Sequence, residues 1–264
     1  MHRRRERWSA ARIVLHIAVG LGAGLLSGLF GVGGGVVIVP ALVLWLRYEQ
    51  RLATGTSLAA IVPTATVGVI AYASSGNVDW VAALILAVGA VIGAQIGSWL
   101  LPRLPAAALQ LAFTVFIIVA AVSLFLVIPS RADQLDLSII GGVLLGVLGL
   151  VTGVLSGLLG VGGGIIVVPA LILLFGSSDL VARGTSLLMM IPAAISGTIG
   201  NVRRKNVDLV GAALVGFAAC TTTALGAWIA RSIDPLAGNV IFAVFLVAIA
   251  IQLAVRAIKR LRAA

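Results

Sequence analysis

A twelve-residue block of this chain returns 129 positions later. Gly24-Leu-Leu-Ser-Gly-Leu-Phe-Gly-Val-Gly-Gly-Gly is followed, after that offset, by Gly153-Val-Leu-Ser-Gly-Leu-Leu-Gly-Val-Gly-Gly-Gly. The register then runs on without a gap. Pro40-Ala-Leu matches Pro169-Ala-Leu, and Gly55-Thr-Ser-Leu matches Gly184-Thr-Ser-Leu. Pro63, Gly68, Asn77-Val-Asp79, Gly97 and Trp99 match Pro192, Gly197, Asn206-Val-Asp208, Gly226 and Trp228, and Phe113 and Phe116 match Phe242 and Phe245. Whatever one half folds into, the other must fold into as well. The chain therefore reads as two homologous units, 1–130 and 131–264, within one domain.

Each unit is a string of apolar runs. They cover approximately 12–46, 52–75, 80–101, 105–129, 137–176, 180–200, 207–230 and 236–257. Most have the roughly 20 residues a helix needs to cross the hydrocarbon of a bilayer. Only 10% of residues are charged and 61% are apolar, against about a quarter charged in soluble domains. A chain so poor in charge lacks the polar surface a soluble fold needs, and a lipid surround removes that need. The fold class is all-α, a polytopic membrane protein of two tandem repeats with 8–10 membrane segments and glycine-broken helices. The basic N-terminus followed by Ile13 to Gly24 resembles a signal peptide. No small-x-small cleavage site with a polar continuation follows, so it reads as a retained first span. The single Cys220 lies inside an apolar run and allows no internal disulfide.

The net charge of +10 would suggest nucleic acid in a soluble protein. Here the basic residues cluster between apolar runs, at Arg3 to Arg12, at Arg203-Arg204-Lys205 and at Arg256 to Arg262, as cytoplasmic loops do. Nucleic acid is excluded as a partner, and the lipid bilayer takes its place. Runs 12–46 and 137–176 decide the topology. If each crosses once, 13 basic residues lie inside and 5 outside; if each crosses twice, once with a short or half-depth helix, the split is 15 and 3. The second count fits the positive-inside rule better. It also puts five segments in each half, which makes the repeats inverted, with both termini cytoplasmic in the plasma (bacterial inner) membrane.

The glycine runs Gly31-Val-Gly-Gly-Gly35 and Gly160-Val-Gly-Gly-Gly164 are neither a dinucleotide fingerprint nor a P-loop, because Val36 and Ile165 stand where further glycine would be needed and no Gly-Lys-Ser/Thr follows. Gly20, Gly24 and Gly28 share a helix face, as do Gly89, Gly93 and Gly97, and Gly149, Gly153 and Gly157. These stripes read as close helix packing. Three adjacent glycines cost about 1 kcal/mol each in a helix and point to an unwound stretch. At membrane depth such a stretch is buried in protein or lines a cavity. The helix that resumes after it offers free N–H groups and a positive dipole end to an anion. Broken helices at matching positions in two halves are the pattern of a transporter site, though a plain hinge has the same sequence.

Candidate substrate-binding residues are therefore Gly33, Gly34, Gly35, Gly162, Gly163 and Gly164, with the hydroxyl pairs Thr56, Ser57 and Thr185, Ser186. One hydroxyl of each pair reads as a helix cap and the other as cavity-facing. Arg183, beside the second pair, attracts an anion or serves as a rim charge. Asp79 and Asp208 read as N-caps, Gln95 as facing the protein interior, and His16 as packing, having no acidic neighbour in sequence. All eight acidic residues lie at or outside span ends. That argues against a midplane carboxylate relay, a cation site or hydrolytic chemistry. No catalytic, metal or cofactor site is expected.

The doubled Gly-x-x-Ser-Gly-x-x-Gly-Val-Gly-Gly-Gly, Val-Pro-Ala-Leu and Gly-Thr-Ser-Leu resemble the sulfite exporter TauE/SafE family (TSUP transporters), over essentially the whole chain. The resemblance implies secondary transport, often export, of sulfur-containing anions such as sulfite or organosulfonates, through seven to nine spans. The expected partner is a small anionic substrate; a coupling ion and a homo-oligomer stay open. Rival readings are a passive anion channel, an intramembrane enzyme and a non-transporting assembly subunit.

Overall fold

The computed structural model describes residues 9–101 and 138–234, with 103 and 118 and, beyond 234, 236–238, 240–241, 243–245, 247–248, 251 and 255. The expected segment 105–129 apart from position 118, the matches at Phe113, Phe116 and Phe242, Arg131, and the basic clusters at 3–7 and 256–262 lie outside the described residues. Eight helices are α1 Ala10–Phe30, α2 Gly35–Leu44, α3 Gln50–Ala73, α4 Trp80–Leu100, α5 Ile139–Leu159, α6 Gly164–Phe175, α7 Asp179–Arg203 and α8 Leu209–Ser232. A short apolar helix, Leu236–Phe245, follows them. Six of the eight are long and apolar enough to cross a membrane; α2 and α6 are not.

The offset of 129 maps α1 onto α5, α2 onto α6, α3 onto α7 and α4 onto α8, and the local stops match as well. Ser9 and Ser138 accept the first free N–H groups of α1 and α5. Both helices end at a left-handed glycine, Gly31 at φ 69° and Gly160 at φ 72°, a conformation that costs an L side chain about 1–2 kcal/mol. The long runs 12–46 and 137–176 thus divide into one full helix and one short return. At 10 residues and about 1.5 Å rise each, α2 covers roughly half a bilayer core. A full helix followed by a half-depth one is the second of the two alternatives read from the sequence.

Helix direction follows from neighbours. Along α1, Gly20, Gly24 and Gly28 face Val215, Ala219 and Thr223 in turn, so α1 and α8 run parallel. Gly89, Gly93 and Gly97 of α4 face Gly146, Leu150 and Val154 of α5, again in parallel. The start of α3 meets the end of α7, with Gly55 beside Asn201 and Asn206. The start of α7 meets the end of α3, with Gly184 beside Tyr72 and Asn77. So α3 and α7, which are equivalent by repeat, run antiparallel. The operation relating the halves reverses helix direction, which is the geometry of inverted repeats.

The glycine stripes are packing surfaces. A Cβ at Gly24 would fall on the Ala219 carbonyl oxygen, and one at Gly28 on that of Thr223. Small residues at this spacing let backbones touch where lipid offers no hydrophobic drive for association. The outer faces are apolar and exposed, for example Ile140, Val143, Leu84 and Phe217. Trp45 and Trp99 stand exposed toward one end of the bundle and Trp80 and Trp228 toward the other, as in the aromatic belts of membrane proteins. Arg103 lies over the Trp99 ring at 3.6 Å. The end holding Arg12, Arg47, Arg51, Arg103 and Arg203 to Lys205 is called the basic end below, and the opposite one the far end.

Candidate functional site

The two breaks lie side by side and antiparallel at the centre of the bundle. A Cβ on Gly35 would stand 2.6 Å from Gly160 O, and one on Gly164 would stand 2.6 Å from Gly31 O. Ile61 of α3 and Met190 of α7, equivalent by repeat, flank both Gly33 and Gly162. The middle of the repeat operation therefore passes here. Gly33 and Gly34 have φ of 71° and 74°, and Gly162 and Gly163 have 83° and 86°. Glycine adopts such values without a Cβ penalty. After each break the helix restarts with Gly34 and Gly163 as N-caps lacking any side-chain bond. From this shared centre α2 leads to the basic end and α6 to the far end. Two positive helix ends thus converge on one place.

The six candidate glycines are all buried and belong to these two adjoining segments. The four hydroxyls are fully buried too, and the two serines fasten the breaks crosswise. Ser57 Oγ donates to Gly160 O at 2.7 Å, and Ser186 Oγ donates to Gly31 O at 3.1 Å. Thr56 Oγ1 accepts from the Asp208 N–H at 3.0 Å, and Thr185 Oγ1 from the Asp79 N–H at 2.9 Å. Each threonine serves a helix start in the other half rather than its own. Asp79 and Asp208 are N-caps of α4 and α8 through their Oδ1 atoms. Gln95 faces inward and donates to Ser196 O at 2.7 Å.

Arg183 is no rim charge. It is 1% exposed, one turn inside α7, and its Cα lies against Gly31. Nη1 donates to Leu29 O at 2.9 Å, while Tyr72 Oη donates to Gly28 O at 2.7 Å. Together they satisfy carbonyls in the last turn of α1, where a cation also suits the helix dipole. Nη2 stands 3.3 Å from Asp179 Oδ2, itself 1% exposed. Among the described residues, Nε, Nη2 and Asp179 Oδ1 have no hydrogen-bond partner. The Nε–Nη2 edge is the edge of a guanidinium that grips an oxyanion with two parallel bonds.

Several site residues escape sequence reasoning. Ser27 and Ser156 carry buried hydroxyls without partners among the described residues. They stand in the repeated Ser-Gly just before each break, and that repetition was the available signal. Ile61 and Met190 look like ordinary span residues. Asp179 reads as a loop acid until α7 buries it. His16 does have an acidic neighbour in space, Asp208, reached through Tyr48. Among the described residues, no group of three His, Cys, Asp or Glu side chains could hold a metal ion.

Comparison with known proteins agrees with this architecture. Residues 145–263 match the family model described as sulfite exporter TauE/SafE. The chain is 28% identical to the probable membrane transporter protein YunE of Bacillus subtilis, across 91% of this chain and 96% of that one. It is 34% identical to a probable membrane transporter protein of Haemophilus influenzae, across 60% and 62%. A probable membrane transporter protein of Methanocaldococcus jannaschii is 27% identical across 60% of each chain. No solved structure matches. The family match covers the second half, and the gap-free repeat carries the same motifs through the first: the chain is a multi-pass membrane protein similar to the sulfite exporter TauE/SafE family and to probable membrane transporters.

Proposed function

We propose that this protein is a secondary transporter, working as an exporter, of small oxidised-sulfur anions such as sulfite or organosulfonates, with the substrate held where the two glycine breaks meet. The observation that carries the reading is the set of donors there. Two half-helix N-termini converge on the centre, and beside one of the breaks the buried Arg183 has its Nε and Nη2 without hydrogen-bond partners among the described residues, Nη2 being ion-paired with Asp179. A site rich in N–H and hydroxyl donors, with its one buried carboxylate already beside the arginine, favours a tetrahedral or pyramidal oxyanion over a cation. Gly33, Gly34, Gly35, Gly162, Gly163 and Gly164 supply backbone approach. Ser57 and Ser186 hold the breaks in place, Thr56 and Thr185 hold the helix starts beside them, and Arg183 selects for negative charge.

The basic end faces the cytoplasm in this reading, because basic loop residues stay inside. Inverted halves that pack symmetrically about a central site suit alternating access by rocking of one half on the other. Uptake of labelled sulfite, thiosulfate and sulfoacetate into proteoliposomes tests the function. Saturable flux that runs uphill under an imposed ion gradient supports a carrier; flux that only follows its own gradient supports a channel. Orientation is tested by cysteine at Arg204 in a Cys220→Ser background. Impermeant thiol reagent added outside intact cells should leave it unlabelled, and labelling would reverse the orientation.

A further inference from the structure

The basic end holds a hydrogen-bonded group that the anion site does not use. His16 on α1 is 1% exposed. Its Nδ1 lies 2.7 Å from Arg12 O, and its Nε2 lies 3.1 Å from Tyr48 Oη. Tyr48, in the turn after α2, donates to Asp208 Oδ2 at 2.8 Å. Gly211 makes room for this group: a Cβ there would stand 2.9 Å from Tyr48 Oη. The Asp208 N–H then bonds Thr56, whose neighbour Ser57 holds the second break at Gly160 O. The positions equivalent to His16, Tyr48 and Gly211 are Leu145, Ser177 and Ala82. The other half therefore lacks the arrangement.

Counting protons shows what the group does. A carbonyl only accepts, so Nδ1 must carry hydrogen. Tyr48 has one proton, and in the structure it goes to Asp208. Nε2 can then bond Tyr48 only by donating as well. All three bonds exist together only when the group holds one proton more than a neutral imidazole and an ionised carboxylate, carried on Nε2 when Tyr48 donates to Asp208 and on Asp208 when Tyr48 donates to Nε2. When one proton leaves, Nε2 becomes an acceptor, and the Tyr48 hydroxyl must choose between it and Asp208. The charged or titratable residues that the hydrogen bonds join to the ring are Arg12 on its own helix, through its carbonyl, Tyr48 after α2, and Asp208 at the head of α8.

We propose that His16, Tyr48 and Asp208 form a proton-binding site that ties the hairpin of α1 and α2 to the head of α8 when His16 is protonated and loosens it when the proton leaves, and that the proton is the coupling ion. The proton passes from hydronium at the basic end to Nε2, one O–H bond breaking as the N–H bond forms and water leaving, while the Tyr48 O–H turns from Nε2 to Asp208 with its own bonds unchanged. The site stands on its own geometry, while the coupling rests on the transport reading above. Imidazole is the side chain suited to such a switch, since its charge changes between about pH 5 and 8.

His2 is the only other histidine, so full-length protein with His2→Gln gives one imidazole signal by 15N NMR in nanodiscs. The ring should carry hydrogen on both nitrogens when the three bonds are made, and Asp208→Asn, which removes the carboxylate that takes the Tyr48 proton, should abolish the two-hydrogen form. A ring that never carries two hydrogens, or a two-hydrogen form that persists in Asp208→Asn, overturns the site. In proteoliposomes labelled thiosulfate, which carries no exchangeable proton at these pH values, should accumulate under a pH gradient. His16→Gln should lose that accumulation tenfold while one-for-one exchange falls less than threefold. Wild-type protein that exchanges thiosulfate yet ignores the gradient overturns the coupling and leaves transport standing. Protein that exchanges none of the sulfur anions overturns the transport reading, and the hydrogens on the ring still decide the site.

Discussion

The far end and the basic end of the bundle are built from the same motifs, yet they carry different chemistry. Both have a threonine that accepts from an N-cap aspartate N–H and a serine that holds the opposite break. At the far end, Arg183 and Asp179 are buried beside Gly31, and Tyr72 caps α1. The equivalent positions near the basic end are Thr54, Gln50 and Asn201, none of them charged. The basic end has instead the chain from His16 through Tyr48 to Asp208. The shared part fixes the frame that must exist in both halves. The unshared parts are free to specialise, one end with a permanent cation and the other with groups that take and lose a proton. Inverted repeats alone would face both sides of a membrane alike, so these differences are where direction enters.

The largest expected effect falls on the frame. Gly24→Ala drives a methyl onto the α8 backbone, which no rotamer change relieves, so the two helices must part and the loss goes beyond the ~1–3 kcal/mol of side-chain overpacking. Gly22, where an added Cβ meets nothing within 4 Å, is the control. Gly24→Ala should lower the thermal midpoint and the yield of monodisperse protein, while Gly22→Ala should leave both unchanged. Equal behaviour of the two variants would break the account of the stripes.

Next in size is Arg183→Gln, which strands Asp179 in the interior. Removing one partner of a buried ion pair costs about 3–5 kcal/mol. Adding Asp179→Asn should return much of that stability, since no charge is then left buried. Transport should stay at least tenfold down in both, because the donor edge for the anion is gone. A double variant that recovers flux together with stability would make Arg183 a helix cap and nothing more.

A smaller contrast separates the two breaks. Gly34→Ala meets Ala23 O at 2.9 Å, whereas Gly163→Ala has 3.4 Å to Thr152 O. Both carry the left-handed strain of about 1–2 kcal/mol, so Gly34→Ala should be the less stable of the two by melting. Both should impair transport by more than their loss of folded protein explains. The smallest effect is the matched pair Ser57→Ala and Ser186→Ala. Each leaves a buried carbonyl short of a donor, at about 1 kcal/mol, and the two should shift the melting midpoint alike. A large difference between them would mean that one serine also holds the substrate.

How much of this was legible beforehand follows from what periodicity and repetition record. The repeat, the spans, the stripes and the breaks are local patterns, and inverted orientation followed from where basic residues fall between spans. Runs 12–46 and 137–176 were too long for one crossing, but their split into 21 and 10 residues, or 21 and 12, depends on where the left-handed glycines turn the chain. The hydroxyl pairs were found by repetition, but their partners lie 103 to 155 positions away and no spacing rule reaches that far. His16 to Asp208 and Arg183 to Leu29 are likewise contacts between halves. Asp179 lies only four positions from Arg183, but nothing in the sequence says that both are buried.

The central claim is that an anion binds between the breaks through donors that include Arg183. Thermal unfolding of the purified full-length protein against sulfite, sulfate, thiosulfate, sulfoacetate and taurine tests it directly, because a ligand that binds only the folded state raises the midpoint. At 100 times its dissociation constant a ligand adds about 2.7 kcal/mol. The account predicts a saturable rise with at least one sulfur oxyanion in wild-type protein, and no rise in the Arg183→Gln, Asp179→Asn double variant. No rise with any of the five, or the same rise in the double variant, would contradict it.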